Sequence, residues 1–154
     1  MSINNGINNY VSNPVRLTAV LEPDQAVQTA PANLQSSIDL TVLQEFGAIM
    51  GDDSSEIIAE LIDLFLEDTP DLLNGLKQSI AQKNAGGVQS TAHTLKSTAA
   101  SVGAVKISEL AEHLEGIGRS GLLEHINGEV AEIFAEFELV EHFLKEEAMQ
   151  ALAI

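Results

Sequence analysis

Residues Thr91 to Ala104 read TAHTLKSTAASVGA, and this stretch decides the fold. On a helix of 3.6 residues per turn, Val88, Ala92, Leu95, Ala99 and Val102 recur at spacings of four, three, four and three. That draws a narrow apolar stripe facing a core. His93 stands one residue off the stripe, with Gln89, Lys96 and Ser97 at i−4, i+3 and i+4. The remaining neighbours on this lateral face, Ala100 and Ser101, are small. An imidazole on the rim of a helix, with one ammonium a turn away and no bulk around it, is placed to be reached from outside.

Outward from that helix, the same period repeats. Asp39 is placed to cap a short helix with Leu40, Leu43 and Phe46 apolar, stopped near Gly51. Asp52, Asp53, Ser54 and Ser55 supply the next N-terminus. A long helix follows, with Ile58, Leu61, Ile62, Phe65, Thr69, Leu72, Leu76 and Ile80 on one face. The stripe keeps its phase across Pro70, which favours one kinked helix over two. Asn84 to Gly87 form the turn before the His93 helix, predicted from about Gly87 to Val102. Next comes a helix from Lys106 to about Ile117, whose end Gly116, Gly118 and Gly121 loosen. The last spans roughly Leu122 or Glu124 to Leu152, with Val130, Ile133, Phe134, Phe137, Val140 and Leu144 as its stripe. No alternating strand pattern and no internal repeat occurs. The fold class is therefore all-α: an antiparallel four-helix bundle over residues 38–154 with a short additional N-terminal helix. Residues 1–37, rich in Asn, Ser and Gln and punctuated by Pro14, Pro23 and Pro31, read as a disordered or loosely packed leader, in which Leu17 to Leu21 can form a short packed piece.

Bulk composition narrows the function. The 154 residues hold 23 acids against 7 Lys and Arg, a net charge of −16, which argues against nucleic acid and against anionic membrane surfaces as partners. With no cysteine, thiol catalysis and disulfides are excluded. No apolar run reaches the ~20 residues of a membrane span, and the N-terminus lacks the basic and apolar regions of a secretory signal. A cytoplasmic monomer is the expectation. The acids are also unevenly placed. From Leu72 to Ser108 there is no Asp or Glu, while Lys77, Lys83, Lys96 and Lys106 fall within the run. In so acidic a chain, that absence predicts a negative visitor to this part of the surface, because like charges across an interface are costly.

Of the four histidines, His113, His125 and His142 each adjoin a glutamate, and none combines a nearby Lys with small neighbours as His93 does. Di-metal bundles use Glu-x-x-His pairs, and no histidine here has a Glu three residues before it. No metal site is expected. A neutral imidazole is a good nucleophile near pH 7. Phosphorylated on a ring nitrogen it needs a cation at the phosphoryl oxygens, which Lys96 supplies, with Thr94 and Ser97 as hydrogen-bond donors. Acyl transfer lacks an acid near in sequence to orient the ring and lacks a nucleophile elbow. Kinase chemistry lacks a Gly-rich phosphate loop, Gly86-Gly87 being a turn.

At these residues the chain resembles the histidine-containing phosphotransfer (HPt) domains, carriers in multistep phosphorelays. Their signature is roughly A-H-x-L-K-G-x-x-x-x-x-G-A followed by a helix with a Leu-Glu pair. Here Ala92-His93-Thr94-Leu95-Lys96-Ser97, Gly103-Ala104 and Leu114-Glu115 match it in order, and the likeness extends from about Ile38 to Leu144. The resemblance implies that His93 takes a phosphoryl group from a receiver-domain aspartyl phosphate and passes it to another receiver's aspartate. It makes Lys96 the phosphate-steadying cation, and puts Gln89, Thr94, Ser97, Ala100 and Ser101 on the receiver-docking face. Partners would be response-regulator receivers, including one carried on a hybrid sensor kinase. The chain itself would be a carrier and not an enzyme, without a cofactor of its own, Mg²⁺ being held by the receiver. Ser97 departs from the family's usual Gly, which bears on docking geometry and partner preference. The alternative is a non-phosphorylated module of the same fold that only binds receivers or a kinase.

Overall fold

The computed structural model describes residues 37–152. The expected leader over residues 1–37, its Leu17–Leu21 piece included, lies outside the described residues apart from Ser37. The described residues are helical, with no strand among them. Helix α1 spans Leu40–Met50, capped by Asp39, whose carboxylate accepts from the Thr41 backbone N–H at 3.0 Å and from its hydroxyl at 2.6 Å. These two bonds hold the Asp39 carboxyl below the usual carboxylate range. A 3₁₀ turn, Gly51–Asp53, leads into α2, Ser54–Ala81. Helices α3, Ala85–Ser101, α4, Val105–Ser120, and α5, Asn127–Glu146, follow, and a four-residue turn of helix, α6 (Ala148–Ala151), closes the series. Short connections between α2 and α5 make successive helices antiparallel neighbours, giving the bundle.

The core is the sum of the stripes. On α3, Val88, Ala92, Leu95 and Ala99 are fully buried, and Val102 just beyond its end is too. On α2, Ile58, Ile62, Phe65, Thr69, Leu73 and Leu76 are buried. Leu73 therefore replaces the expected Leu72, one step round the helix. Pro70 sits inside α2 and does not divide it. The Asn84–Gly87 turn is shorter than expected: the Asn84 side chain accepts from the Gly87 backbone N–H at 2.9 Å, so helix begins at Ala85. The last helix is also shorter at both ends. It starts at Asn127, and it is interrupted at Glu147.

Two glycines set how closely the elements meet. Gly103, at φ +80°, lies in the α3–α4 turn where a β-carbon would strike the Asp39 carbonyl. The Asp39 N–H donates to the Gly103 carbonyl at 2.7 Å, tying the start of α1 to this turn. Gly118 is not in a loosened helix end. It is buried within α4, and a β-carbon there would stand 2.6 Å from the Gln89 backbone nitrogen. That close approach seats α4 against the first half of α3.

Candidate functional site

Helix α3 buries Ala92 and so turns its neighbour His93 outward; the ring is 61% exposed. Lys96 follows one turn later on the same side. The side chain that joins them comes from α4. Glu115 lies beside the buried Leu114 and is itself buried, with its carboxylate aimed at α3. One carboxylate oxygen, Oε1, accepts from Lys96 Nζ at 2.7 Å. The other, Oε2, lies 2.9 Å from His93 Nδ1 and 3.4 Å from a terminal guanidinium nitrogen of Arg119. Away from this cluster, the Ser108 hydroxyl donates to the Lys96 carbonyl at 3.1 Å, a second tie between the two helices.

These contacts fix protonation as well as position. The hydrogen bond from Lys96, and after it that from His93, holds the Glu115 carboxyl below the usual range, against the opposing effect of burial. Glu115 is therefore an anion at neutral pH, and an ionised carboxylate can only accept hydrogen bonds. The ring proton then belongs on Nδ1, leaving the lone pair on Nε2. Such an arrangement presents one nucleophilic nitrogen at the surface, with the charge that develops on the ring during attack stabilised from beneath by an anion.

Beside the ring is a hollow of about 480 Å³ lined by Gly86, Gln89, Ser90, His93, Thr94 and Glu115. Of the expected docking face, Gln89 and Thr94 line this hollow, the Thr94 hydroxyl donating to the Ser90 carbonyl at 3.2 Å. Ser97, Ala100 and Ser101 are exposed further along the same helix, where Ser101 donates to the Thr98 carbonyl at 2.7 Å. Glu115 and Arg119 were not among the residues singled out for a role. The run without acids in the sequence does not produce a face without acids: α4 brings one carboxylate under it, together with one cation, Arg119. The available signals were the Leu114-Glu115 pair already matched in the sequence and the spacing of Glu115 and Arg119, four apart on one helix. Among the described residues no group of three or more His, Asp or Glu is placed to hold a metal ion, and no helix is long and apolar enough to cross a membrane.

The Hpt domain family model matches residues 60–152. A similar solved structure is that of histidine-containing phosphotransfer protein B from Pseudomonas aeruginosa PAO1, at 25% sequence identity and a TM-score of 0.66, covering 74% of this chain and 96% of that one. No curated protein matches the chain.

Proposed function

This chain belongs to the Hpt domain family, and from that premise we propose that His93 is its phospho-acceptor, relaying a phosphoryl group between receiver-domain aspartates. The observation that carries the reading is the 2.9 Å contact between His93 Nδ1 and Glu115 on a ring otherwise open to solvent. In the step proposed, the Nε2 lone pair attacks phosphorus in line, the Nε2–P bond forms, and the acyl P–O bond breaks. The receiver's aspartate leaves as a carboxylate, and the ring, still carrying its Nδ1 proton, becomes a phosphoimidazolium paired with Glu115. Acyl phosphate and phosphoramidate are both high-energy, so the step can run either way. Loose phosphoryl-transfer transition states ask mainly for positioning and charge stabilisation. This chain provides the ring, its tautomer and a cation; the receiver provides the Mg²⁺. Lys96 gives one of its three N–H bonds to Glu115, which leaves two for phosphoryl oxygens. Gln89, Thr94, Ser97, Ala100 and Ser101 form the face on which the receiver docks.

Incubation with a labelled phospho-receiver tests this. Label should reach the wild type and be absent from His93→Gln with the fold unchanged. A wild type that binds the receiver yet takes no label would overturn the carrier reading and leave a binding module.

A further inference from the structure

We infer that Arg119 is a second phosphate-binding cation of this site, exchanging Glu115 for the phosphoryl oxygens once His93 is phosphorylated. The inference rests on His93 as acceptor and concerns a residue that neither the family likeness nor the spacing on α3 assigns.

Three donors share the Glu115 carboxylate, and they hold it unequally. Lys96 at 2.7 Å and His93 at 2.9 Å are at charge-assisted hydrogen-bond distances. Arg119 at 3.4 Å lies beyond the usual N–H···O range. Its side chain is 61% exposed, against 31% for Lys96. Exposed ion pairs contribute little, so Arg119 is the partner that leaves at least cost. Its departure does not strand Glu115, which keeps its two short bonds.

The phosphoryl group also supplies a reason to leave. It brings roughly two negative charges close to a buried carboxylate, and Lys96, already bonded to that carboxylate, is a single point charge. A guanidinium presents planar paired donors that match phosphoryl oxygens. Arg119 stands one turn beyond Glu115 on the same face of α4 and shares Oε2 with the ring that carries the phosphoryl. The exchange changes no covalent bond. Helix α3 thus contributes the nucleophile and one cation, and α4 the orienting acid and the other.

The test phosphorylates wild type, Arg119→Gln and Arg119→Lys with phosphoramidate, a small histidine donor that needs no receiver, and follows the phosphohistidine by ³¹P NMR across pH. A cation beside a phosphoryl dianion lowers the pH at which it protonates. In Arg119→Gln that midpoint should rise by about one pH unit, and Arg119→Lys should restore most of the difference. Before phosphorylation, the His93 Nδ1–H resonance and the melting curve should match wild type in both variants. Equal midpoints in wild type and Arg119→Gln would overturn the inference and leave His93 as acceptor. Loss of the Nδ1–H resonance in unphosphorylated Arg119→Gln would also overturn it, by showing that Arg119 serves only to hold Glu115. A wild type that takes no phosphoryl would overturn the acceptor reading itself.

Discussion

Helices α3 and α4 approach backbone to backbone at a glycine, whereas α2 and α5 meet through rings. The buried faces of the first pair carry Ala92, Ala99 and Ala111, and at Gly118 the α4 backbone comes so near α3 that a β-carbon would not fit. In the second pair Phe65 and Phe137 lie with centroids 5.9 Å apart, tilted at 53°, and the Lys77 ammonium sits 5.0 Å from the Phe134 centroid. A hollow of about 290 Å³ remains there, lined by Pro70, Leu73, Asn74, Phe134, Phe137, Glu138 and Glu141. Rings can tilt and side chains can change rotamer, but a backbone-to-backbone approach has no such freedom. The chemistry proposed for His93 belongs to the pair whose separation is fixed. The ring-packed pair should therefore contribute stability and accept repacking without moving the site.

The largest effect that would break this contrast is on stability. Phe137→Ala removes a nearly buried ring and should cost about 3–5 kcal/mol in denaturant unfolding, while the folded fraction transfers phosphoryl at the wild-type rate. A transfer rate that fell with the stability would mean the two faces are not separable.

Gly118→Ala should show the reverse pattern. The new β-carbon meets backbone atoms of Gln89 and Ala85 that cannot rotate away, so α4 must shift, at about 1–3 kcal/mol. Glu115, one turn earlier, shifts with it and loses its 2.9 Å contact with His93. Transfer should fall about tenfold, as expected when a reacting group is displaced by roughly an ångström or less. Wild-type kinetics in this variant would show that close packing is not what positions the acid.

The same contrast explains what was legible in the sequence. Stripes of period 3.6 report which face of a helix is buried, so the all-α bundle, the α3 stripe and the outward placing of His93 and Lys96 could be read directly. Gly118 could not. In sequence a glycine near a helix end signals flexibility, and only the partner helix shows that the missing side chain is a space filled by Gln89. Glu115 stood in the matched Leu114-Glu115 pair, but its contact with His93 stayed hidden for a related reason. Glu115 is 22 residues from His93, and its carboxylate reaches the ring across an interface whose rotation no local period encodes. The acid-free run was a correct local observation that misjudged the surface, because the surface is shared by two helices. Leu73 in place of Leu72 and the break at Glu147 are smaller slips of the same kind, where packing overrode an ambiguous local phase.

The smallest expected effect sharpens the account of the α3–α4 face, and it concerns Glu115 alone. Its carboxyl is held below the usual range first by the hydrogen bond from Lys96 and then by that from His93. A depressed folded-state pKa contributes stability above the unfolded value, and that contribution disappears as pH falls through the folded value. In the wild type, Glu115 therefore stays ionised on acidification until below the ordinary carboxylate range. Lys96→Ala removes the largest of the lowering causes and leaves burial, which acts in the other direction. The midpoint should move up, and the tie between His93 and Glu115 should loosen at a less acidic pH. At neutral pH the carboxyl remains ionised, so the Nδ1–H resonance of His93 should persist in this variant. A ¹³C NMR titration of the Glu115 carboxyl reads the shift directly, with Phe137→Ala as the control in which it should not occur. An unmoved midpoint in Lys96→Ala would mean that the lysine does not hold the acid, and that the ring alone does.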